Sequence, residues 1–156
     1  MQRSRAGFSL IEVVIVLALI AIIASIAVPA LSTSSDKKSV KGASNAVASQ
    51  LAVARTAAIA RDRCATVHLS STGLLWVTTQ ACGGTPLDTL TSRSLVTAFK
   101  VTATACSGSS CTPGSSLDYT FDPRGIPYAT SAATYVLTRN AAADTIFVGQ
   151  FGRVTR

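Results

Sequence analysis

His68 is the only imidazole in the chain, and it stands in an alternating run, CATVHLS, with no acidic residue beside it in sequence. General acid–base chemistry needs a second group within hydrogen-bond reach, so a structural place in a strand is the expected role. Asp118, Asp122 and Asp144 could ligate calcium, but their spacing is not that of a DxDxDG loop and their context is not that of a glycosidase pair. No metal ion, cofactor or enzymatic activity is expected. Cys64, Cys82, Cys106 and Cys111 have no CxxC spacing, Cys106 and Cys111 being separated by SGSS, and a single histidine accompanies them. An even number of cysteines reads instead as disulfides formed in an oxidising compartment. Two further features are chemically pointed: Glu12, inside an apolar stretch, and the tail FGRVTR, whose Arg153 and Arg156 suit bidentate contacts to phosphate. In an extended tail the two guanidiniums fall on opposite faces unless the chain turns between them.

The elements that hold these residues begin with the apolar stretch. Val13 to Val28 reads VVIVLALIAIIASIAV without a charge, and Phe8, Leu10 and Ile11 extend it to the ~20 residues that span hydrocarbon. The chain is 48% hydrophobic and only 13% charged, and the excess is concentrated here, so a lipid phase is part of the protein's life. A carboxylate in the middle of such a span costs on the order of 2.5–3.5 kcal/mol, less near an end, so Glu12 needs a positive partner. Pro29 removes a backbone donor and either kinks or ends the helix. A secretory signal is cleaved after its apolar core. Here a short basic segment, MQRSRAG, precedes the core and nothing like A-x-A in a polar context follows it, which places any processing before it.

The chain has 14 Lys and Arg against 7 Asp and Glu, a net charge of +7; without Arg3 and Arg5 the balance is 12 against 7. That favours polyanions such as nucleic acid, lipopolysaccharide or anionic headgroups. Lys37, Lys38 and Lys41 weaken the positive-inside argument for orientation, and the cysteines decide for a head outside the cytoplasm.

The segment MQRSRAGFSLIEVVIVLALIAIIASIAVPAL resembles the type III signal of type IV prepilins and pseudopilins. The resemblance implies that a prepilin peptidase cuts between Gly7 and Phe8 and methylates the new amine. It also implies that Glu12, with Phe8 and Pro29 part of the assembly helix, pairs with the amine of a neighbouring subunit's Phe8 and sets its axial register. The expected organisation is a leader at 1–7, a transmembrane and assembly helix at 8–31, and a head at 32–156. The subunit would sit in the inner membrane, single-pass with a periplasmic head, and then in a pilus or pseudopilus among other pilins or pseudopilins.

Within the head, STSSD at 32–36 can bend the chain or cap a new turn, and a helix is expected over 36–62. Val40, Ala43, Val47, Leu51, Ala54 and Ala58 recur at spacings of three and four and form an apolar stripe that a sheet should cover. From residue 63 the period shifts towards two in CATVHLS, LLWVTTQ, LVTAFKVTATA, LDYTF, TYVLT and TIFVGQF, the pattern of strands. The fold class expected is therefore α+β, an antiparallel sheet or pair of sheets packed on the second half of a long N-terminal helix whose first half is transmembrane, and the resemblance implies that this is the type IV pilin fold. A turn at Thr72–Gly73 would bring Cys64 close to Cys82, leaving Cys106 to pair with Cys111, one of three possible connectivities.

The order LAVARTAAIARDRCATVHLS, then Trp76, FDPRG at 121–125 and GRV at 152–154 looks like the GspH/FimT class of minor pilins and pseudopilins. In members linked to DNA uptake the tail carries GRxR. This chain matches Gly152 and Arg153 and places its second arginine, Arg156, one residue late. Lys100, Arg124 and Arg139 could widen a basic surface for double-stranded DNA, whereas the bland reading makes the tail arginines solvated charges or contacts to the next subunit. The functions that follow are a minor pilin of a type IV pilus, displaying DNA for transformation, or a GspH-like pseudopilin of a type II secretion system. On the register argument, Glu12→Ala should abolish incorporation into filaments, measured by immunoblot of sheared filaments against the membrane fraction; normal incorporation would refute a register role.

Overall fold

A computed structural model of the chain describes residues 9–107, 116–128 and 132–155. It divides into two units, Met1–Ser35 and Asp36–Arg156. One helix, α1 (Leu10–Arg61), contributes to both.

In the first unit the side chains from Leu10 to Leu31 are exposed although nearly all are apolar. This part of α1 is long and apolar enough to cross a membrane, and so much bare aliphatic surface is stable only in lipid or against other apolar helices. Pro29 lies inside α1. The expected new cap at 32–36 does not form, since α1 runs on through these residues, where Ser32 Oγ and Thr33 Oγ1 donate to the Pro29 carbonyl at 2.9 and 3.1 Å.

In the second unit the rest of α1 buries the stripe Val40, Ala43, Val47, Leu51, Ala54 and Ala58, as its spacing predicts, together with Ser44 and Ala46. Most of these side chains are small, which lets strand backbones approach the helix closely. Asp62 adopts a left-handed conformation, φ 50°, and releases the chain into β1 (Cys64–Leu69). β1 is one of two interior strands of a sheet ordered β3-β2-β1-β5, with β2 at Leu74–Gln80, β3 at Pro86–Ser94 and β5 at Leu117–Phe121. Ala65, Val67 and Leu69 of β1 join the core. A second sheet is ordered β4-β6-β7-β8, from β4 (Thr102–Ser107), β6 (Ala133–Arg139), β7 (Ala142–Val148) and β8 (Val154–Thr155). Every strand pairing among the described residues is antiparallel.

Two expected elements differ, and one strand was not expected. LVTAFKVTATA is not one strand: its first half is a short helix, α2 (Leu95–Phe99), and only its second half is β4. Ser94 caps α2 by accepting from Thr97 N–H at 3.2 Å, and Lys100 closes it in the left-handed region, φ 54°. TIFVGQF ends as a strand at Val148, and Gly149 to Gly152 form the turn into β8. β3, which begins with a proline and is largely exposed, is an edge strand whose pattern has no apolar face to reveal it.

The β1–β2 register pairs Cys64 with Gln80 and carries the chain round to Cys82, which forms the expected disulfide with Cys64 over 18 residues. Closing a loop of that length is worth about 3 kcal/mol. Replacing Cys64 and Cys82 together by alanine should lower unfolding stability by about that amount in urea denaturation, with the antiparallel β signature retained in circular dichroism.

Candidate functional site

His68 has the acidic neighbour that its sequence context lacks. Asp118, fifty residues away, is its register partner on β5, and Asp118 Oδ1 lies 2.8 Å from His68 Nδ1. Thr78 Oγ1 on β2 lies 2.8 Å from Nε2, and the Trp76 ring stacks on the imidazole at 4.9 Å. Hydroxyl, imidazole and carboxylate thus follow the order of a nucleophilic triad, but the Thr78 side chain is buried. A nucleophile must meet substrate, whereas this chain of bonds ties β5, β1 and β2 together.

The basic residues separate into those tied to acids and those left free. Arg139 is tied: Nε is 2.9 Å from Asp36 Oδ1, and Nη1 donates to Ser39 Oγ at 2.6 Å and to the Phe99 carbonyl at 3.0 Å. Its side chain is only 24% exposed, which removes it from the basic surface expected of it. Arg61 is paired with Asp88 at 2.8 Å. Lys100 is exposed beside Thr72 and Gly73, where β1 ends. Phe121, beside which Gly152 packs, is opposite Ala65, where β1 starts. Lys100 and Arg153 therefore stand at opposite ends of β1, a strand about 20 Å long.

Two of the untied arginines meet at one corner. A cavity of about 330 Å³ is lined by Leu51, Ala52 and Arg55 of α1, by Phe121, and by Gly152, Arg153 and Val154. Arg55 and Arg153 are both exposed, and among the described residues no carboxylate lies within ion-pair distance of either. Two glycines bring the chain here. Gly152 has φ +73° and packs so closely that a Cβ would stand 3.2 Å from Phe121 and 3.4 Å from Pro127. Gly125 has φ +74°, and a Cβ there would meet Ile59 at 2.8 Å and Arg55 Cγ at 3.2 Å. The second contact sets the turn Asp122 to Gly125, and with it Arg124, against α1 beside Arg55.

Asp122 holds that turn. Its Oδ1 accepts from the backbone N–H groups of Ile126 and Arg124 at 2.8 and 2.9 Å, and Arg124 Nε donates to Oδ2 at 3.2 Å. The Ile126 N–H does most to hold this buried carboxyl below the ordinary carboxylate range, against the effect of burial and with help from Arg124. The Arg124 side chain is nevertheless 82% exposed. Tyr119 fixes the neighbouring loop by donating to the Gly149 carbonyl at 3.0 Å, and burial pushes its phenol up to about 12.

The other sequence-stated residues fall as follows. Glu12 is in the first turn of α1. Asp144 lines a separate cavity with Lys37 and Lys41. Cys106 is disulfide-bonded, while its expected partner Cys111, the processing residues Gly7 and Phe8, and Arg156 lie outside the described residues. Arg55 was not singled out by its sequence; within a polar helix face it carries no signal until Gly125 and Gly152 are seen to fold against it.

The long N-terminal helix and the antiparallel sheets packed on its second half are those of a type IV pilin, the fold of minor pilins and pseudopilins. The chain matches the family model for Type II transport protein GspH over residues 43–152, and it belongs to that family. Residues 2–28 match the prokaryotic N-terminal methylation motif, which implies processing by prepilin peptidase and assembly with other pilins from a membrane-anchored state. Two crystal structures of the type IV minor pilin FimU of Pseudomonas aeruginosa share the fold, at TM-scores of 0.58 and 0.55 and 16% identity in each case. The alignments cover 74% of this chain and 86% and 90% of FimU. A search of curated proteins gave no match.

Because the Asp122 carboxyl is depressed in the native state, its contribution is present above the unfolded value near 4 and is lost as pH falls through the native one. Asp122→Ala should therefore cost about 1–3 kcal/mol at neutral pH. The difference from the parent should shrink on acidification in urea titrations across pH, and a pH-independent difference would contradict the role given to the charge.

Proposed function

We propose that the chain is a minor subunit of a type IV pilus whose head holds double-stranded DNA at the corner formed by Arg55, Arg124 and Arg153. The leader 1–7 is removed between Gly7 and Phe8, the helix 8–31 waits in the inner membrane with Glu12 facing a neighbour's amine, and the head 32–156 is periplasmic until assembly. The observation that carries the DNA reading is that Arg55 and Arg153, far apart in sequence, line one cavity with no described acid to neutralise either. Free guanidiniums of this kind release counterions from a phosphate backbone, while arginines already paired do so less. Arg124 adds a third exposed guanidinium whose charge is partly offset by Asp122. Arg156 extends the same tail, and Lys100 contributes only to the outer field.

A second reading is favoured by the family model's own description, a type II transport protein: a pseudopilin of a type II secretion system, in which the same corner would contact another subunit. Deletion of the gene separates the two, since loss of transformation with secretion intact supports the pilus and the converse supports the secretion filament.

The DNA reading is tested by anisotropy of a labelled duplex with the full chain in a neutral detergent at several salt concentrations. Arg55→Gln with Arg153→Gln should lower affinity and reduce the salt slope by roughly two, whereas Lys100→Gln should leave the slope in place. An unchanged slope in the double variant would exclude the arginine corner as a phosphate clamp.

A further inference from the structure

The loop that presents Arg153 has two features that a phosphate clamp does not need. Phe151, at its tip, is 85% exposed. Phe147, near the end of β7, is 45% exposed, and its ring lies over Gly149, with Cε1 3.7 Å from the place of a Cβ there. Gly149 is the backbone partner of Arg153, its N–H donating to the Arg153 carbonyl at 2.9 Å. Two bare phenyl rings and a guanidinium that no described carboxylate neutralises are thus carried within seven residues, from Phe147 at the end of β7 to Arg153. Nor is the loop slack. Gly152 N–H donates to the Gly149 carbonyl at 2.9 Å, the Tyr119 hydroxyl donates to the same carbonyl at 3.0 Å, and Gly152 packs on Phe121 and Pro127.

We propose that this loop binds single-stranded DNA, with Phe151 and Phe147 stacking on bases while Arg153 holds the adjoining phosphate. The inference rests on the reading that the arginine corner holds DNA, and it adds to the duplex a second form of that ligand, one with accessible base faces. In a duplex those faces are covered by their neighbours in the stack, so exposed rings gain nothing from it except at frayed or melted ends. On a single strand every base offers a face, and aromatic side chains beside a basic groove are the sequence-tolerant way to use it. Charge selects this occupant: a second apolar protein surface would satisfy the rings but would leave Arg153 and Arg55, which no described carboxylate neutralises, desolvated without a counter-charge.

The test uses the full chain in neutral detergent with fluorescein-labelled oligo(dT) and a blunt duplex of equal length, across a salt series. Phe151→Ala should weaken oligo(dT) binding by roughly 5- to 100-fold, leave the salt slope unchanged and barely alter duplex binding, while Phe151→Trp keeps the single-strand affinity. Because the ring is exposed, the variants are expected to fold, and retention of the Cys64–Cys82 disulfide with a parental β signature checks this. If the parent binds DNA and Phe151→Ala binds oligo(dT) as tightly, or loses filament incorporation while its DNA binding stays intact, the stacking role is overturned and the arginine reading survives. If the parent binds neither DNA, both are overturned.

Discussion

Burial of one narrow stripe of α1, from Val40 to Ala58, decides where everything else in the head can stand. Ala43, Val47, Ala54 and Ala58 are fully buried and small, so strand backbones come close, and residues of both sheets reach the same core, Val67 and Leu75 from one, Leu137 and Ile146 from the other. A helix turns by about 100° per residue. Arg55 follows Ala54 immediately and so leaves the helix at the margin of the covered stripe. There it is neither buried nor on the far face, and the sheet ends at Phe121 and Val154 meet it across the cavity. The interaction that builds the core therefore also sets the position of the cation that the core does not use.

The polar ties outside the core follow from the same placement. Arg139, half-enclosed between the start of the head's helix and the end of α2, has three good acceptors, and an exposed cation would have been easier to leave in water. A partly buried guanidinium with that many partners fixes geometry, since removing it would strand the half-buried charge of Asp36. Arg61 with Asp88 is more open and more easily screened by salt. Tyr119 crosses from one sheet to the loop of the other, and its buried hydroxyl needs that carbonyl. The arginines thus fall into tied and untied groups among the described residues, and two of the untied ones, Arg55 and Arg153, meet because two left-handed glycines bring the chain against Ile59 and Arg55 of α1 and against Phe121 of β5.

Much of this was legible wherever a feature is local. The helical stripe and the cores of β1, β2, β5, β6 and β7 are periodic over a few residues, and the Cys64–Cys82 pairing follows from the reach of one hairpin. α2 was not legible, because Leu95, Val96, Thr97 and Phe99 favour strands and the helix depends on Ser94 and on Lys100 in a conformation that sequence does not announce. β3 and β8 are strands only by virtue of their neighbours. His68 with Asp118, and Arg153 with Arg55, are contacts between distant segments that no pattern along the chain encodes.

The spacing of the tail arginines changes meaning once its geometry is known. In an extended chain Arg153 and Arg156 point apart, and a motif with its second arginine one residue late looks weakened. But the tail is not free when it reaches Arg153: Gly152 has turned it onto Phe121 and Pro127, and Val154 and Thr155 pair with Val148 and Phe147. A guanidinium fixed in this way needs a second cation near it in space, wherever that cation lies in sequence. Arg55, on an element whose position is set by the core, meets that need with less conformational entropy to lose than a terminal residue would have. The glycine before Arg153 then matters as much as the arginine, because any residue with a Cβ would be strained at φ +73° and would crowd Phe121 and Pro127, moving the guanidinium away from its partner across the cavity.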